Sequence, residues 1–381
     1  MSEENIIYEY TQVQCEHLKQ HIINTPTLHK YFAFSWGALK LQQYCGILSL
    51  EGKEYYLLPK ISKKESDEKT NLDTFIYMLM YAYDIKLENE DIASCANENH
   101  TILEVFIQLF VKKLFKELQQ GIYKEYITQE ENLTTLRGKY LINENLKYNM
   151  TKNKIYCEYD EFSMNNELNQ FFLFTVKSLM PFAKDKRLLM ACEVAFDEVE
   201  YKSFDINHIT IHFHRLNARY KESFEFALLL LKKSIPLFSK EKKSFAFLFD
   251  MNELFEKFIG KIFTTIDPST KLQNQKSFGN LQLKPDIITS TMIVDTKYKI
   301  LKTKDDLAAS DKYQMFVYGT NFEIKNTMLL YPKHLEHFES ELRLGEGDKE
   351  VALKIKNIDL ECDGGYDEFI GEIKNRIGEL I

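Results

Sequence analysis

The chain has 381 residues, enough for two or three domains around a sizeable core. Its formal net charge is −8, whereas a protein that grips nucleic acid unaided is usually basic, so any DNA contact must be a local patch or be shared with a partner. No run approaches the roughly 20 apolar residues a membrane helix needs, and the acidic, polar start MSEENIIYEYTQ is neither a signal nor a transit peptide, which points to the cytoplasm.

In chain order, residues 32–61 read as a β-meander, with turns at Gly37 and at Glu51-Gly52 and a stop at Pro59. The charged stretch 63–73 reads as a solvated loop, Phe75–Tyr83 as a helix, and the acidic stretch 84–100 as another loop. Between Ile102 and Gln119, apolar residues recur every three or four positions (Ile102, Val105, Phe106, Leu109, Phe110, Leu114, Leu118), which predicts an amphipathic helix stopped at Gly121. Residues 122–160 read as strand and turn, with a bend at Arg137-Gly138. Helices are predicted over Glu167–Phe182, over a short segment after Asp185, and over Arg219–Lys233, the last closed by Pro236; residues 239–244 (SKEKKS) read as a charged linker. Asn252–Phe263 is helical with Asp250 or Asn252 as its cap. A hairpin around Asp286, a helix over Asp305–Thr320, strands at Met328–Tyr331 and Val351–Ile358, and a helix over Tyr366–Leu380 complete the chain. The pattern predicts an N-terminal α+β domain over 1–160 and an α/β domain over 161–381.

The six cysteines (Cys15, Cys45, Cys95, Cys157, Cys192, Cys362) form no CxxC pair, so reduced thiols are expected rather than a zinc ribbon or an iron–sulfur ligand set. There is no GxxxxGK[ST] phosphate loop and no GxSxG, so neither P-loop nucleotide hydrolysis nor that serine chemistry is expected of the chain itself.

The chemistry concentrates in Pro285–Lys297. Two apolar runs flank a polar turn at Thr289–Thr291; Asp286 stands at the start of the first, and Asp295 and Lys297 lie in the second. A strand alternates faces, so Asp295 and Lys297 share a side and Thr296 turns away. Two carboxylates and an ammonium at one hairpin edge can hold Mg²⁺, with Mn²⁺ as a substitute, and activate a water for phosphodiester hydrolysis. Asp286, Asp295 and the Thr296 carbonyl would be ligands, and Lys297 would orient the water or neutralise developing charge. The plainer reading is a surface hairpin with an ordinary Asp–Lys pair. Burial in apolar runs argues against it, because an Asp and a Lys there are costly unless paired or metal-bound. Glu256 interrupts an apolar helix face and is either a third acid or a solvated glutamate near Lys257 and Lys261. Gln314 and Tyr318, at i and i+4, share a helix face and can brace the lysine or contact DNA, although Tyr318 also suits a core. His208, His212 and His214 would share one face of a strand and make a competing metal site, but no carboxylate lies among them at a useful spacing. The lysine runs at Lys232-Lys233 and Lys240–Lys243 can contact phosphates or simply be solvated surface.

Taken together, these segments resemble the McrC family, the nuclease subunit of McrBC-type, modification-dependent restriction systems, including LlaJI-like relatives. The resemblance is carried by Phe249–Glu256, by Leu283-Lys284-Pro285-Asp286, by Val294–Lys299, by Asp311–Gln314 through Tyr318, and by Leu329–Pro332. Upstream, Leu58–Ile61, Leu136–Lys139, Cys157–Glu161 with Asn169, and Arg215–Asn217 with Tyr220 also match, and the last places His212 and His214 in a structural segment. The resemblance implies a PD-(D/E)xK restriction-endonuclease-like core. It implies Asp286, Asp295, Lys297 and Glu256 as catalytic residues, with Gln314, Tyr318 and Lys299 supporting them or touching double-stranded DNA. It also implies a partner, a ring-forming McrB-like AAA+ GTPase into which the N-terminal part docks and whose hydrolysis it stimulates. A non-catalytic adaptor that activates the motor, or a stand-alone RecB-like exonuclease, are the alternatives.

Overall fold

A computed structural model describes residues 5–35, 38–50, 53–59, 61, 68–85, 102–150, 153–238, 243–334, 337–362 and 364–381. The chain is mixed α/β and folds as two units. One takes residues 1–90 together with 236–381, and the other is the intervening segment 91–235.

The first unit begins with β1 (Ile6–Tyr8), α1 (Glu16–Asn24), β2 (Phe32–Ser35), β3 (Ala38–Leu41), β4 (Tyr44–Leu50), β5 (Lys53–Leu58) and α2 (Glu68–Ala82). The expected meander divides: β2 and β3 make a separate hairpin, while β4 and β5 pair antiparallel in a larger sheet. Helix α2 starts at Glu68, inside the stretch read as a loop, because its apolar face (Phe75, Met78, Leu79, Ala82) buries and carries the polar first turns with it. Residues 63–67 of the loop read over 63–73, residues 86–100 of the loop read over 84–100, the turns at Gly37 and Glu51-Gly52, and Cys95 lie outside the described residues.

The second unit contains α3 (Ile102–Gln119), β6 (Glu125–Leu133), β7 (Lys139–Tyr140), α4 (Ile142–Tyr148), β8 (Ile155–Ser163), α5 (Glu167–Leu179), α6 (Arg187–Ala195) and α7 (Lys221–Lys233). Helix α3 follows the apolar spacing and ends before Gly121, whose φ of +106° suits a residue without a Cβ. Its core is aromatic: Phe171, Phe172, Phe196 and Tyr220 are fully buried around α5–α7. The domain boundary expected near residue 160 falls within β8, so the contact-defined units do not follow it. Sheet β6-β8-β7 is antiparallel. At the bend before β7, Gly138 has φ +69° and its Cα approaches the Glu158 carbonyl so closely that a Cβ would sit 2.2 Å from that oxygen. Asn169 donates to the Tyr123 and Met164 carbonyls, both at 2.7 Å, and fixes the start of α5. His208, His212 and His214 do not lie on a strand, so the shared strand face that would have gathered them is absent. These residues lie in turns and irregular backbone, with His208 bonded to Asp205 and His214 to the Tyr123 hydroxyl.

The chain returns to the first unit through β9 (Ser234–Phe238) and β10 (Lys243–Asp250); β10 takes in residues 243–244 of the linker expected over 239–244, and positions 239–242 lie outside the described residues. β10 pairs antiparallel with β4, some 200 residues earlier, and gives the order β1-β5-β4-β10-β9. Gly46 permits this close pairing, since a Cβ there would lie 2.0 Å from the Phe247 carbonyl oxygen. There follow α8 (Met251–Ile266), β11 (Lys271–Leu272), β12 (Lys276–Phe278), β13 (Leu281–Leu283), β14 (Ile287–Ile288), β15 (Ile293–Thr296), α9 (Ala309–Asn321), β16 (Asn326–Pro332), β17 (Ser340–Leu344), β18 (Val351–Ile358) and α10 (Tyr366–Gly378). Six of these strands form a second sheet in the order β11-β14-β15-β16-β18-β17, with β15, β16 and β18 mutually parallel. Parallel neighbours need a crossover, and α9 supplies it between β15 and β16. From Thr327 to Pro332, β16 is buried on both faces, as a covered central strand should be. Leu329, Tyr331, Leu353 and Ile355 pack with Met315 and Tyr318 of α9 in one core cluster.

Candidate active site

The Asp286 hairpin forms at the expected place. Ile287 and Ile288 pair antiparallel with Val294 and Ile293, and Thr289 closes the turn by accepting from the Met292 amide at 3.0 Å through its hydroxyl. β15 is held on its other edge by β16, and the Lys297 amide donates to the Leu330 carbonyl at 2.9 Å just beyond the strand. The backbone bearing the charged residues is therefore fixed on both sides.

Asp295 and Lys297 project to one side and meet: Lys297 Nζ lies 2.6 Å from Asp295 Oδ2. That oxygen is buried, so the ammonium is the charge that compensates it. Asp295 is only 1 % exposed. Burial pushes its carboxyl up to about 7, and the nearby Asp286 charge adds to the rise against the pull of Lys297. Burial works to lower the Lys297 ammonium, but the fields of Asp295, Asp311 and Asp286 outweigh it and leave the pKa raised. Thr296 turns the other way, where its amide (2.8 Å) and hydroxyl (2.9 Å) both donate to Asp286 Oδ2. This anchor for Asp286 is a role that sequence reasoning missed; the threonine between Asp295 and Lys297 was its only signal.

Helix α8 presents Glu256 to the same place. Its N-cap is Asp250, which accepts from the Asn252 amide at 2.9 Å. Glu256 accepts a hydrogen bond from the Gln273 side chain, and its pKa is raised by burial and by Asp286, against Gln273, Lys284 and Lys297. These influences put it among the hairpin charges rather than on a remote surface. Gln273 itself carried no sequence signal. Helix α9 supplies the brace: Lys297 donates to Gln314 Oε1 at 3.3 Å, Gln314 donates to the Tyr318 hydroxyl at 2.9 Å, and Tyr318 donates to the Lys284 carbonyl at 3.1 Å. Tyr318 is 6 % exposed, so its ring serves the core as well. Lys299 is committed to the largely buried Asp311, at 2.7 Å. The residues singled out from the sequence thus come together, with Lys299 at the margin.

Among the described residues, no three His, Cys, Asp or Glu side chains converge tightly enough to ligate one ion. Mg²⁺ does not require three. One or two carboxylates commonly hold it, with waters and substrate phosphates filling the octahedron. Asp286 and Asp295 fit that chemistry, since both offer hard oxygen donors and their mutual repulsion would be relieved by a cation. Free thiols are found at Cys15, Cys45, Cys157, Cys192 and Cys362. Among the described residues, no helix is long and apolar enough to cross a membrane.

Comparison with known proteins gives the wider setting. No curated protein matches the chain. It is similar to a chain of the refined half-complex from the tetradecameric assembly of Thermococcus gammatolerans McrB AAA+ hexamers with bound McrC, at 21 % identity and a TM-score of 0.64, over 99 % of each chain. It is also similar to a chain of the Thermococcus gammatolerans McrBC complex determined by cryo-EM, at 24 % identity and a TM-score of 0.50, over 68 % of this chain and 86 % of that one. Residues 39–332, well over half of the sequence and including the whole Asp286–Tyr318 constellation, match the McrBC 5-methylcytosine restriction system component family, and the chain belongs to that family.

Proposed function

We propose that this restriction-system component is its DNA-cutting subunit, a Mg²⁺-dependent endonuclease with a PD-(D/E)xK core. The observation that carries the reading is the convergence of Asp286, Asp295 and Lys297 on one hairpin, with Lys297 held between Asp295 and Gln314. A bound Mg²⁺ would supply a Lewis acid that activates water and offsets charge on the phosphate. The chain's own groups do the rest. Asp286 and Asp295 hold the ion, Thr296 fixes the Asp286 carboxylate, and Glu256 adds a third acid. The Gln314–Tyr318 pair keeps the Lys297 ammonium aimed at the developing negative charge.

Membership of the McrBC family, and the McrB AAA+ hexamers of the Thermococcus gammatolerans assembly, support a ring-forming AAA+ GTPase as the partner. That partner would also account for the missing phosphate loop and the net charge of −8. The best-suited docking face is in the unit spanning 91–235. Helix α4 has no buried residue and exposes Ile142 (61 %) and Leu146 (73 %), followed by Met150 (91 %), while Tyr126 and Phe162 form a separate exposed aromatic pair on the β6–β8 ribbon. Exposed apolar side chains gathered on and just after one short helix suit a protein interface.

The test assembles the full chain with its cognate ring, GTP and plasmid DNA. Cleavage should appear with Mg²⁺, vanish with chelator, and fall in Asp286→Ala by at least the roughly 10–100-fold that loss of even a residue supporting a metal ligand costs. Undiminished cutting by Asp286→Ala would sink the site assignment, and processive digestion from ends without the ring would favour the exonuclease.

A further inference from the structure

Between Asp267 and Asp286 the chain has no acidic residue. In a protein of net charge −8, this stretch of 18 residues carries Lys271, Lys276 and Lys284 together with Gln273, Asn274, Gln275, Asn280 and Gln282. Its centre is the β12–β13 hairpin, turned at Gly279, whose φ of +60° suits glycine.

The hairpin has two unlike faces. Lys276 pairs with Leu283 and Phe278 with Leu281, so these four share one side. That side is the anchor: Leu283 is buried in the core cluster, and Phe278 meets Phe322 at 5.1 Å with the Lys276 ammonium over both rings. The opposite side follows from Ser277 pairing with Gln282 and is continued by Gln275 and Lys284. Gln275 donates to Gln282 at 3.2 Å across the ribbon. All four of these residues are exposed, as is Lys271. Among the described residues, neither Lys271 nor Lys284 forms an ion pair.

The ribbon is also tied to the hydrolytic residues at its base. Tyr318, the end of the brace on Lys297, donates to the Lys284 carbonyl, and the Gln273 amide donates to the Asp286 carbonyl at 2.8 Å. A cation-bearing, amide-rich ribbon is thus tied directly upstream of the Asp286 hairpin.

We propose that the Gln275–Ser277–Gln282–Lys284 face, with Lys271, is a double-stranded DNA contact surface. Lys271 and Lys284 take backbone phosphates, and Gln275 and Gln282 reach base edges in a groove. Glutamine amides carry both the donor and the acceptor that base edges match, and a two-stranded ribbon fits the major groove. This inference rests on the nuclease reading of the adjacent site.

The test measures binding of the full chain to a fluorescent duplex by anisotropy across a salt series, with Ca²⁺ replacing Mg²⁺ to block cutting. The Lys271→Gln/Lys284→Gln variant should bind every duplex more weakly, with the slope of log K against log salt reduced by about two. Gln275→Ala/Gln282→Ala should keep the slope and change the preference among duplex sequences. Melting temperatures should match the wild type, because all four side chains are exposed. If Lys271→Glu/Lys284→Glu also fails to change affinity or slope, or if the wild-type chain binds no duplex at low salt, the proposal is overturned. Mg²⁺-dependent cleavage by the wild-type assembly and its loss in Asp286→Ala are read separately, so the nuclease reading can stand while the ribbon fails, or fall on its own.

Discussion

Replacing Asp295 by Asn removes a charge while keeping the shape, and it should make the metal-free protein more stable. Asp295 is 1 % exposed beside Asp286, and its carboxyl is pushed from an ordinary 3.8 up to about 7. A folded-state pKa above the unfolded one means that the native state binds the proton more tightly. Stability is therefore lost as pH rises from about 4 to about 7, and the loss persists above that range. At about 1.4 kcal/mol per unit, some three units set an upper limit of about 4 kcal/mol. About 2 kcal/mol should remain once Lys297 is left without its counter-charge. For a unit of this size, 1 kcal/mol moves the melting temperature by about 2–4 °C. Asp295→Asn should thus melt about 4–8 °C above the wild type at pH 8 in chelator, and the gap should narrow as pH falls toward 5. Mg²⁺ should raise the wild-type melting temperature and leave the variant nearly unmoved. Calorimetric scans at several pH values check this. A variant that melts below the wild type at pH 8, or a gap that widens on acidification, would show that burial beside Asp286 does not destabilise the Asp295 carboxylate.

Tyr298→Phe deletes the hydroxyl that donates to the fully buried Glu9 at 2.6 Å, and it should cost about 1–3 kcal/mol in urea unfolding without disturbing the Asp295–Lys297 pair. Burial pushes Glu117 up to about 7 despite the Ser223 hydrogen bond, so stability should fall as pH rises from about 4.5 to 7. Glu117→Gln should recover about 1–2 kcal/mol at pH 8, after discounting for its partial exposure, and nothing below pH 4.5. Gly46→Ala must force a Cβ into the Phe247 carbonyl at a φ of +142°, so it should cost several kcal/mol or prevent soluble expression, measured by the yield of folded protein.

The parts of this chain that sequence reveals are those set by local rules. Period-two alternation brought Asp295 and Lys297 to one side of β15, and the three-and-four spacing from Ile102 to Leu118 defined α3. The cap at Asp250 set the start of α8, and β18 runs from Val351 to Ile358 as read. What stayed hidden depends on distant pairing. β10 was obscured by the charged residues before it, and its partner β4 lies about 200 positions away. Glu9 gives no hint that it meets Tyr298, 289 residues later. The boundary near 160 missed the division at 91 and 235 because an inserted segment leaves no composition change where the outer unit resumes. Strands β12, β13 and β17 are short and largely exposed, so they carry little apolar pattern to read.

Asp286, Asp295 and Lys297 are proposed to form a DNA-cutting centre. Its most direct test is single-turnover cleavage of a duplex by the ring-assembled chain in Mg²⁺, comparing wild type with Asp295→Asn while GTP hydrolysis is followed in the same tube. With such a centre, the variant should assemble and hydrolyse GTP at the wild-type rate but leave the duplex intact. Cleavage by Asp295→Asn at the wild-type rate would contradict it.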